Sequence, residues 1–443
     1  MKQTIIVGAG PAGLAAGYHL AKNKRDVILL EKDSFVGGLS KTICYKGHYF
    51  DVGGHRFFTE IPEVNSLWQE VLKDGFLKRK RVSRIFYRGK FFSYPLNLSN
   101  ILSNIGLINS GLCFLSYLVS KLNFRRKNDS FEDYIVRHFG RRLYSIFFKD
   151  YTEKVWGISC SKLSCDWAAE RIKGLSLIAA LTSTLGLNGQ IRTLIKEFYY
   201  PILGPGMMYE AMAKRIKELG HVIEIDAEVV KVLHDNNRVI SVITRNKEGK
   251  ERELRASDFI SSMPVTELIN KLDPHPPGNI LEASGKLCYR DLLVVNLICA
   301  NENIFPDNWI YVHSPEVKVS RIQNYKNWSP AVVPDFRKTT LGLEYFCSAR
   351  DEFWNKENKE IEGIAALELK YLGFDVTIED SFVYRVPKAY PVYTLGYSEA
   401  VEVLKEYLGH FHNLQLIGRA GRFQYDNMDI AILSGINAAK HLL

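Results

Sequence analysis

Residues 4–33 read TIIVGAGPAGLAAGYHLAKNKRDVILLEKD, and this stretch decides the fold. Its first four residues are an apolar, mostly β-branched run bounded by glycine, which is typical of a buried strand. Apolar residues then recur at the spacing of a helix face, and residues 27–30 form a second apolar run. The stretch therefore predicts a strand, a glycine-rich turn, a helix and a second strand.

The turn carries glycine at positions 8, 10 and 13. A diphosphate needs this spacing, because Gly8 makes the tight turn, Gly10 lets backbone approach the phosphates and Gly13 lets the helix pack on the strand. The N-terminus of the helix then faces the anion. Glu31, at the end of the second strand, is placed to accept hydrogen bonds from ribose hydroxyls. The sequence therefore predicts a dinucleotide-binding site.

A second glycine pair, Gly37 and Gly38, follows Glu31 and resembles the extension that flavoproteins add to this motif, which favours FAD over NAD. Another adjacent pair precedes His55, and such pairs let backbone press against a flat or charged group. His55 is therefore predicted to contact the flavin ring or its substrate. The cofactor contacts predicted at this stage are Gly8, Gly10, Pro11, Ala12, Gly13, Glu31, Lys32, Gly38, Leu39, Ser40, His55 and Val229.

Length and composition limit the remaining possibilities. A chain of 443 residues exceeds what one hydrophobic core usually serves, so two or three domains are expected. The net charge of +9 favours an anionic partner. The seven cysteines are scattered, without the spacing of a zinc site, which predicts reduced, mostly buried thiols in a cytoplasmic protein and no metal. The first strand begins so early that no signal peptide is expected.

Two segments suggest other partners. Residues 91–120 contain no charged residue, but serine, asparagine and glycine interrupt them. They therefore predict buried or surface-lying helices and at most a peripheral contact with a membrane. Residues 78–90 are densely basic, yet apolar residues alternate with the charges up to a turn at Gly89. This pattern predicts a solvated β-hairpin and no nucleic-acid partner.

The order of the periodic segments predicts an α/β (α+β) fold with three domains. A Rossmann-like FAD-binding domain is predicted from residues 1–75, 203–264 and 405–443. Helical periodicity predicts an inserted helical domain over residues 98–197. Short β-rich runs predict an antiparallel sheet that holds the substrate, formed by residues 76–97 and 280–404.

Four patches, in the same order along the chain, resemble the FAD-dependent UDP-galactopyranose mutases, within the amine oxidase and protoporphyrinogen oxidase superfamily. GRRLYSIFFKDYTEKVWG at 140–157 is similar to their pattern GRxLYxxFxxxYTxKxW, and YPLNLSN at 94–100 is similar to FPxNL. SRIQNY at 320–325, followed by LEY at 343–345, resembles TRIHEF and REY. GRAGRFQYDNMDIAI at 418–432 resembles GRLGxYxYxDMxxAI.

The resemblance implies an enzyme that interconverts pyranose and furanose nucleotide sugars through a flavin N5–sugar adduct, in cell-surface polysaccharide biosynthesis. Covalent catalysis is then carried by the cofactor, and FAD must be reduced. The implied partners are a nucleotide-diphosphate sugar, an external reductant such as NAD(P)H or a reductase, and a second copy of the chain in a homo-oligomer.

The resemblance also assigns residues. Arg321 matches an arginine that binds the diphosphate. Arg321 and His55 are the two predicted catalytic residues. The further substrate residues are Asn97, Tyr151, Trp156, Arg171, Tyr200, Tyr345 and Tyr425. The further flavin contacts are Gly418, Arg419, Asn427 and Met428.

The sequence departs from the mutases in places. They carry two arginines four residues apart, and here Arg171 matches the first while Leu175 stands at the second. The segment DVGGHRFF, at 51–58, resembles the oxidases of the superfamily as much as the mutases. An FAD-dependent oxidase or desaturase is therefore the alternative function, although Arg419 replaces the acidic residue that such oxidases commonly have. A flavin-binding protein without catalysis is the third possibility.

Overall fold

The structure is a computed structural model that describes residues 2–94, 104, 106–122, 129–167, 196–235 and 237–443. The strands are β1 Gln3–Val7, β2 Asp26–Leu30, β3 Thr42–Tyr45, β4 His48–Asp51, β5 Phe76–Lys80, β6 Ser83–Tyr87, β7 Lys90–Ser93, β8 Glu197–Pro201, β9 Val222–Glu224, β10 Glu228–His234, β11 Val239–Arg245, β12 Glu251–Arg255, β13 Asp258–Ser261, β14 Leu272–Asp273, β15 Cys288–Cys299, β16 Trp309–Val312, β17 Arg321–Asn324, β18 Thr339–Cys347, β19 Ile378–Val392 and β20 Leu414–Leu416. The helices are α1 Pro11–Lys22, α2 Pro62–Leu72, α3 Leu107–Leu122, α4 Phe131–Phe139, α5 Arg141–Leu143, α6 Lys149–Trp156, α7 Gly206–Glu218, α8 Val265–Lys271, α9 Gly278–Lys286, α10 Tyr325–Trp328, α11 Glu352–Asn355, α12 Asn358–Tyr371, α13 Tyr397–Gly409, α14 Gly418–Gly421 and α15 Met428–Leu442. A π-helical turn, Tyr144–Phe148, joins α5 to α6, and single 3-10 turns lie at Gly38–Ser40 and Pro330–Val332.

A parallel sheet is built around the N-terminal strand, in the order β20-β13-β1-β2-β9. In β1 every residue after Gln3 is buried, because helices cover both faces of a parallel sheet. One of these helices, α15, packs so closely on α1 that a Cβ on Gly435 would lie 2.0 Å from the carbonyl oxygen of Ala12. The predicted α/β class and the predicted strand-turn-helix-strand unit are therefore confirmed.

A seven-stranded sheet faces this unit, in the order β19-β15-β18-β17-β16-β6-β7. Its pairs are antiparallel except that of β16 with β6. Both faces of β18 are buried, and α12 covers one of them through Ile361, Ala365 and Leu369. Strands β6 and β7 form the predicted hairpin, whose turn holds Gly89 at a φ of +74°. A smaller sheet, β12-β11-β10-β14, completes the sheet structure of residues 228–273.

The segment predicted to be helical, residues 98–197, is described only in part. Helices α3 to α6 lie there, and residues 98–103, 105, 123–128 and 168–195 lie outside the described residues. In the part of the chain that the structure describes, no helix is both long and apolar enough to cross a membrane. The predicted domain limits stay a prediction. The seven cysteines form no disulfide; four are buried, whereas Cys44 and Cys288 are exposed.

Asp51, at the end of β4, is a buried carboxyl group that makes the stability of the protein depend on pH. Its carboxylate is buried and accepts hydrogen bonds from the hydroxyls of Tyr200, at 2.7 Å, and Thr42, at 2.9 Å. Burial raises the pKa of Asp51 to about 7, and these hydrogen bonds only partly oppose the shift. The folded state therefore binds a proton that the unfolded state releases, and stability decreases as the pH rises from about 4 to about 7.

We expect Asp51→Asn to raise the melting temperature at pH 8, because asparagine keeps the shape without the buried charge. The pKa shift bounds the gain at roughly 4 kcal/mol, and the gain should shrink toward pH 5. Melting curves of the parent and the variant across this pH range measure it. The matched control is Asp375→Asn, at an exposed position. If Asp51→Asn loses as much stability as the parent between pH 5 and pH 8, Asp51 does not cause the pH dependence.

Candidate cofactor and substrate site

A cavity of about 380 Å³ lies between the parallel sheet and the seven-stranded sheet. Residues at the ends of four parallel strands line it, namely Val7, Glu31, Ser262 and Gly418. The carboxyl edge of such a sheet is where α/β proteins bind their ligands. Fifteen of the sixteen predicted cofactor residues line this cavity, and Gly13 is the exception.

The three glycines of the N-terminal turn differ in what surrounds them. Gly8 has a φ of +97°, which favours glycine. A Cβ on Gly13 would lie 1.9 Å from the carbonyl oxygen of Gly8, so this glycine lets α1 pack on β1. A Cβ on Gly10 would meet protein atoms only at 3.7 Å, at Gly38. Gly10 therefore leaves open a space that a side chain would fill, next to the first N–H groups of α1, and a diphosphate fits there.

Glu31, which follows β2, lies beside the glycine turn. One carboxylate oxygen accepts the main-chain N–H of Ala9 at 2.7 Å, and the other accepts that of Asp33 at 3.0 Å. Burial raises the pKa of the Glu31 carboxyl group, and the two N–H donors oppose this shift. Each oxygen keeps a further lone pair, so the carboxylate can brace the loop and still accept a ribose hydroxyl.

The C-terminal part of the chain supplies another wall of the cavity. The Arg419 guanidinium group donates twice to the carbonyl oxygen of Asp426, at 2.9 and 2.7 Å. It lies over the rings of Tyr390 and Tyr425, 5.0 and 4.8 Å from their centroids. Helix α15 begins just beyond, and the side chain of its N-cap residue, Asn427, does not cap it. The N-terminal end of a helix is suited to stabilise negative charge on a ligand.

A buried polar cluster forms the wall on β17 and β18. Glu344 is fully buried, pairs with the Arg321 guanidinium group, and accepts hydrogen bonds from Gln323 Nε2 at 2.6 Å and from the N–H of Gly54 at 3.2 Å. Burial disfavours the charged form of Arg321, but the Glu344 carboxylate, together with the hydroxyls of Tyr390, Tyr151 and Tyr425, outweighs this effect and raises the pKa of the guanidinium group. Arg321 Nε and Gln323 Oε1 are buried and have no hydrogen-bond partner among the described residues.

His55 lies in the same cavity as this cluster. Its Nδ1 is 3.0 Å from the carbonyl oxygen of Gly53, so Nδ1 carries the proton and Nε2 is an acceptor. Burial, and then the positive charge of Arg419, lower the pKa of His55 to about 4. The imidazole is therefore neutral at physiological pH.

Two predicted substrate tyrosines lie outside the cavity. Tyr345 follows Glu344 on β18, so its side chain points to the opposite face of the sheet, where its hydroxyl donates to Glu368 at 3.0 Å. Tyr200 is buried on β8 and donates to Asp51. In this structure neither residue lines the cavity, and both hydroxyls bond buried carboxylates, so their role in substrate binding stays a prediction.

The patch at residues 140–157 supports the cavity wall without lining it. Lys154 donates to the carbonyl oxygens of Val312, Ser314 and Val319, at 2.7 to 3.2 Å, and so holds the connection from β16 to β17. In the same patch, Tyr151 stacks on His313 with ring centroids 4.2 Å apart, and Trp156 meets Tyr425 edge to face at 6.0 Å. Of the predicted substrate residues, Arg321 and Tyr425 line the cavity, and Asn97 and Arg171 lie outside the described residues.

Several cavity residues were not predicted from the sequence. Gln323 lines the cavity and lies in the segment SRIQNY, and the alternation of side chains along a strand, starting from Arg321, would have predicted it. Glu344, in the segment LEY, is buried behind the cavity and pairs with Arg321. No pattern in the sequence predicted the aromatic wall of the cavity, because its residues come from three separate parts of the chain. Its members are Phe57, Trp309, Tyr311, Trp328 and Tyr390.

Comparison with known proteins places these features in context. Residues 11–443 match the sequence profile of a family described as flavin containing amine oxidoreductase. The chain is 29% identical over 175 residues to a protein of Klebsiella pneumoniae named "probable UDP-galactopyranose mutase", which covers 37% of this chain and 43% of that one. It is also 36% identical over 104 residues to a 1-hydroxycarotenoid 3,4-desaturase of Flavobacterium sp. (strain P99-3), which covers 23% of this chain and 21% of that one.

Solved structures show the same fold. A reduced UDP-galactopyranose mutase has a TM-score of 0.84 at 19% identity, over all of this chain and 94% of that one. Cyclohexylamine oxidase from Brevibacterium oxydans IH-35A has a TM-score of 0.67 at 14% identity, over 100% of this chain and 98% of that one. At these identities the likeness concerns the fold alone. The sequence matches to the curated relatives span less than half of each relative's length.

Proposed function

The chain belongs to the flavin-containing amine oxidoreductase family, whose cofactor is FAD, and on that premise we propose that it is a nucleotide-sugar mutase that interconverts pyranose and furanose forms. The cavity fits FAD, because the open space at Gly10, the acceptor Glu31 and the N-terminal end of α15 match its diphosphate, its ribose and its ring. Reduced FAD supplies a nucleophilic nitrogen for the anomeric carbon of the sugar.

The polar cluster at Arg321 carries the proposal. A buried polar atom without a partner is costly, and here Arg321 Nε needs an acceptor while Gln323 Oε1 needs a donor. A sugar diphosphate offers both, since its phosphate oxygens accept and its ring hydroxyls donate. A hydrocarbon substrate would leave both atoms unsatisfied. The cluster therefore favours a hydroxylated, anionic substrate.

Four polar side chains at the cavity, those of Arg321, Glu344, Arg419 and His55, have a definable part in this reaction. Glu344 holds the Arg321 guanidinium group on the wall of the cavity, which keeps a rigid donor fork ready for a diphosphate. Arg419 adds a second positive charge, held in place by the main chain of Asp426. The neutral His55 can accept a hydrogen bond from a sugar hydroxyl through Nε2 without adding charge. Together these groups would hold the leaving diphosphate close to the sugar while the sugar ring opens and recloses.

A product assay tests this proposal. The FAD-loaded protein, reduced with dithionite, is incubated with UDP-, GDP- and CDP-hexopyranoses, and furanose products are sought by chromatography. We expect one of these substrates to be converted by the reduced protein, with little conversion by the oxidised protein and no stoichiometric consumption of reductant. Equal conversion by the oxidised and reduced forms, or no furanose from any substrate, would contradict the proposal.

A second candidate, an FAD-dependent oxidase or desaturase, is favoured by the aromatic wall. Trp309, Tyr311 and Trp328 line the cavity near Arg321, and flat apolar walls suit a flat apolar substrate. Tyr200 and Tyr345, which were predicted to bind the substrate of a mutase, do not line the cavity. Oxygen consumption with release of hydrogen peroxide, on adding an amine, a porphyrinogen or a polyene, would support this candidate and is not expected of a mutase.

A further inference from the structure

Helix α3 exposes most of its large apolar side chains to solvent and packs on the protein through a narrower face. The exposed side chains have between 42% and 83% of their surface open to solvent, and they are Ile108, Leu112, Phe114, Leu115, Leu118, Val119 and Leu122. Five of them, at 108, 112, 115, 119 and 122, follow the three- and four-residue spacing of a single helix face. This face carries no charge.

The buried face of the same helix is narrower and has both apolar and polar side chains. Cys113 and Tyr117 are buried there, and Ser116 accepts the main-chain N–H of Arg142 at 3.1 Å. The Arg142 side chain donates to Asn109 at 2.6 Å. A surface helix of a globular protein normally turns its apolar stripe inward, so the polarity of α3 is inverted. An apolar face of this size on the surface marks an interaction site.

The described part of the chain around this helix is basic. Its residues between 88 and 142 include six Lys or Arg residues and three Asp or Glu residues, a net charge of +3. Three exposed cations lie next to the helix. Lys90 donates to the carbonyl oxygen of Asn104 at 2.7 Å, just before the helix; Arg142 contacts its middle; and Lys121 lies in its last turn.

We propose that α3 lies in the surface of an anionic lipid bilayer, with its apolar face among the acyl chains and its cations at the headgroup phosphates. The combination of a large apolar face and a basic rim is what such helices share. A helix of 16 residues is about 24 Å long, shorter than the hydrocarbon core of a bilayer, so it lies flat. A second copy of the chain fits less well, because a two-fold contact would bring the same cations together.

Flotation with lipid vesicles tests this inference and does not depend on the proposed reaction. The full-length, FAD-loaded protein is mixed with vesicles of phosphatidylcholine alone or of phosphatidylcholine with phosphatidylglycerol. We expect it to float with the anionic vesicles and to float much less with the neutral ones. Added salt should weaken the binding, since it screens the cations.

A pair of matched variants locates the contact. Leu115→Glu/Val119→Glu places two charges at the centre of the apolar face and should weaken binding to anionic vesicles by at least about tenfold. The control is Leu367→Glu/Tyr371→Glu on α12, where two apolar side chains with the same spacing are 70% and 62% exposed. The control should bind as the parent does, and both variants should keep their flavin absorbance.

Three results would overturn the inference. The parent protein does not float with anionic vesicles, or the α3 variant floats as well as the control. Alternatively, light scattering finds a dimer that the α3 variant dissociates, while no vesicle binding is seen. In that case the apolar face is a contact between two copies of the chain.

Discussion

Arg321→Ala should weaken nucleotide-sugar binding by at least about tenfold and also lower the stability of the protein. Binding weakens because the alanine removes the donor fork of the cavity wall. Stability falls because Glu344 is fully buried, and loss of its only ion-pair partner among the described residues leaves an uncompensated charge. Breaking a buried pair in this way typically costs about 3–5 kcal/mol. Calorimetric titration and melting curves measure the two effects.

A second substitution separates the two effects of Arg321. In Arg321→Ala/Glu344→Gln the buried charge is absent, so we expect stability to recover while binding remains weak. Arg321→Lys should restore binding only in part, because lysine lacks the planar fork. All variants should retain FAD, since Arg321 lies on β17, apart from the glycine turn. If Arg321→Ala binds nucleotide sugars as well as the parent, this wall is not the diphosphate site; if it loses FAD, the arginine belongs to the cofactor site.

Substitutions at the three-glycine turn should have the largest effects, and these should differ by position. Gly10→Val should yield a folded protein without FAD, because its side chain enters space that no protein atom fills. Gly13→Ala should fail to fold, because its Cβ would lie 1.9 Å from a main-chain oxygen that cannot move without separating α1 from β1. Backbone clashes of this kind fall in the exceptional range of about 4 kcal/mol or more.

Flavin absorbance and circular dichroism distinguish these outcomes. The control is Gly363→Ala in α12, where a new Cβ meets nothing within 4 Å. This variant should keep its flavin and gain slightly in stability, since alanine is the better helix former. A Gly10→Val protein that still binds FAD, or a Gly13→Ala protein that folds normally, would contradict the roles assigned to these residues.

The Rossmann-like unit could be predicted from the sequence because its determinants are local. Spacing of glycines, alternation of apolar residues and an acid at the end of the second strand all lie within residues 4–33, and each acts on its near neighbours. The hairpin around Gly89 was predicted correctly for the same reason. The strands β1 and β2 each begin one residue earlier than predicted, where Gln3 pairs with Asp26.

The substrate wall could be predicted only in part, for one physical reason. In the segment LEY at 343–345 the resemblance selected Tyr345, whereas the residue that pairs with Arg321 of the cavity wall is Glu344. Successive residues of a strand point to opposite faces, so the choice depends on which face meets the cofactor domain. The partner of the Tyr200 hydroxyl could not be predicted either, since Asp51 is remote in sequence.

The sequence by itself determined the dinucleotide turn and the α/β class, because these follow from the short-range spacing of glycines and apolar residues, and its resemblance to flavoproteins identified the cofactor. Tertiary structure alone decided that Glu344 compensates Arg321, that Gln323 and Arg321 each keep an unsatisfied atom, and that α3 turns its apolar face outward. Such facts depend on pairs of groups far apart in the chain. Burial and charge compensation arise only when packing brings those groups together and excludes water.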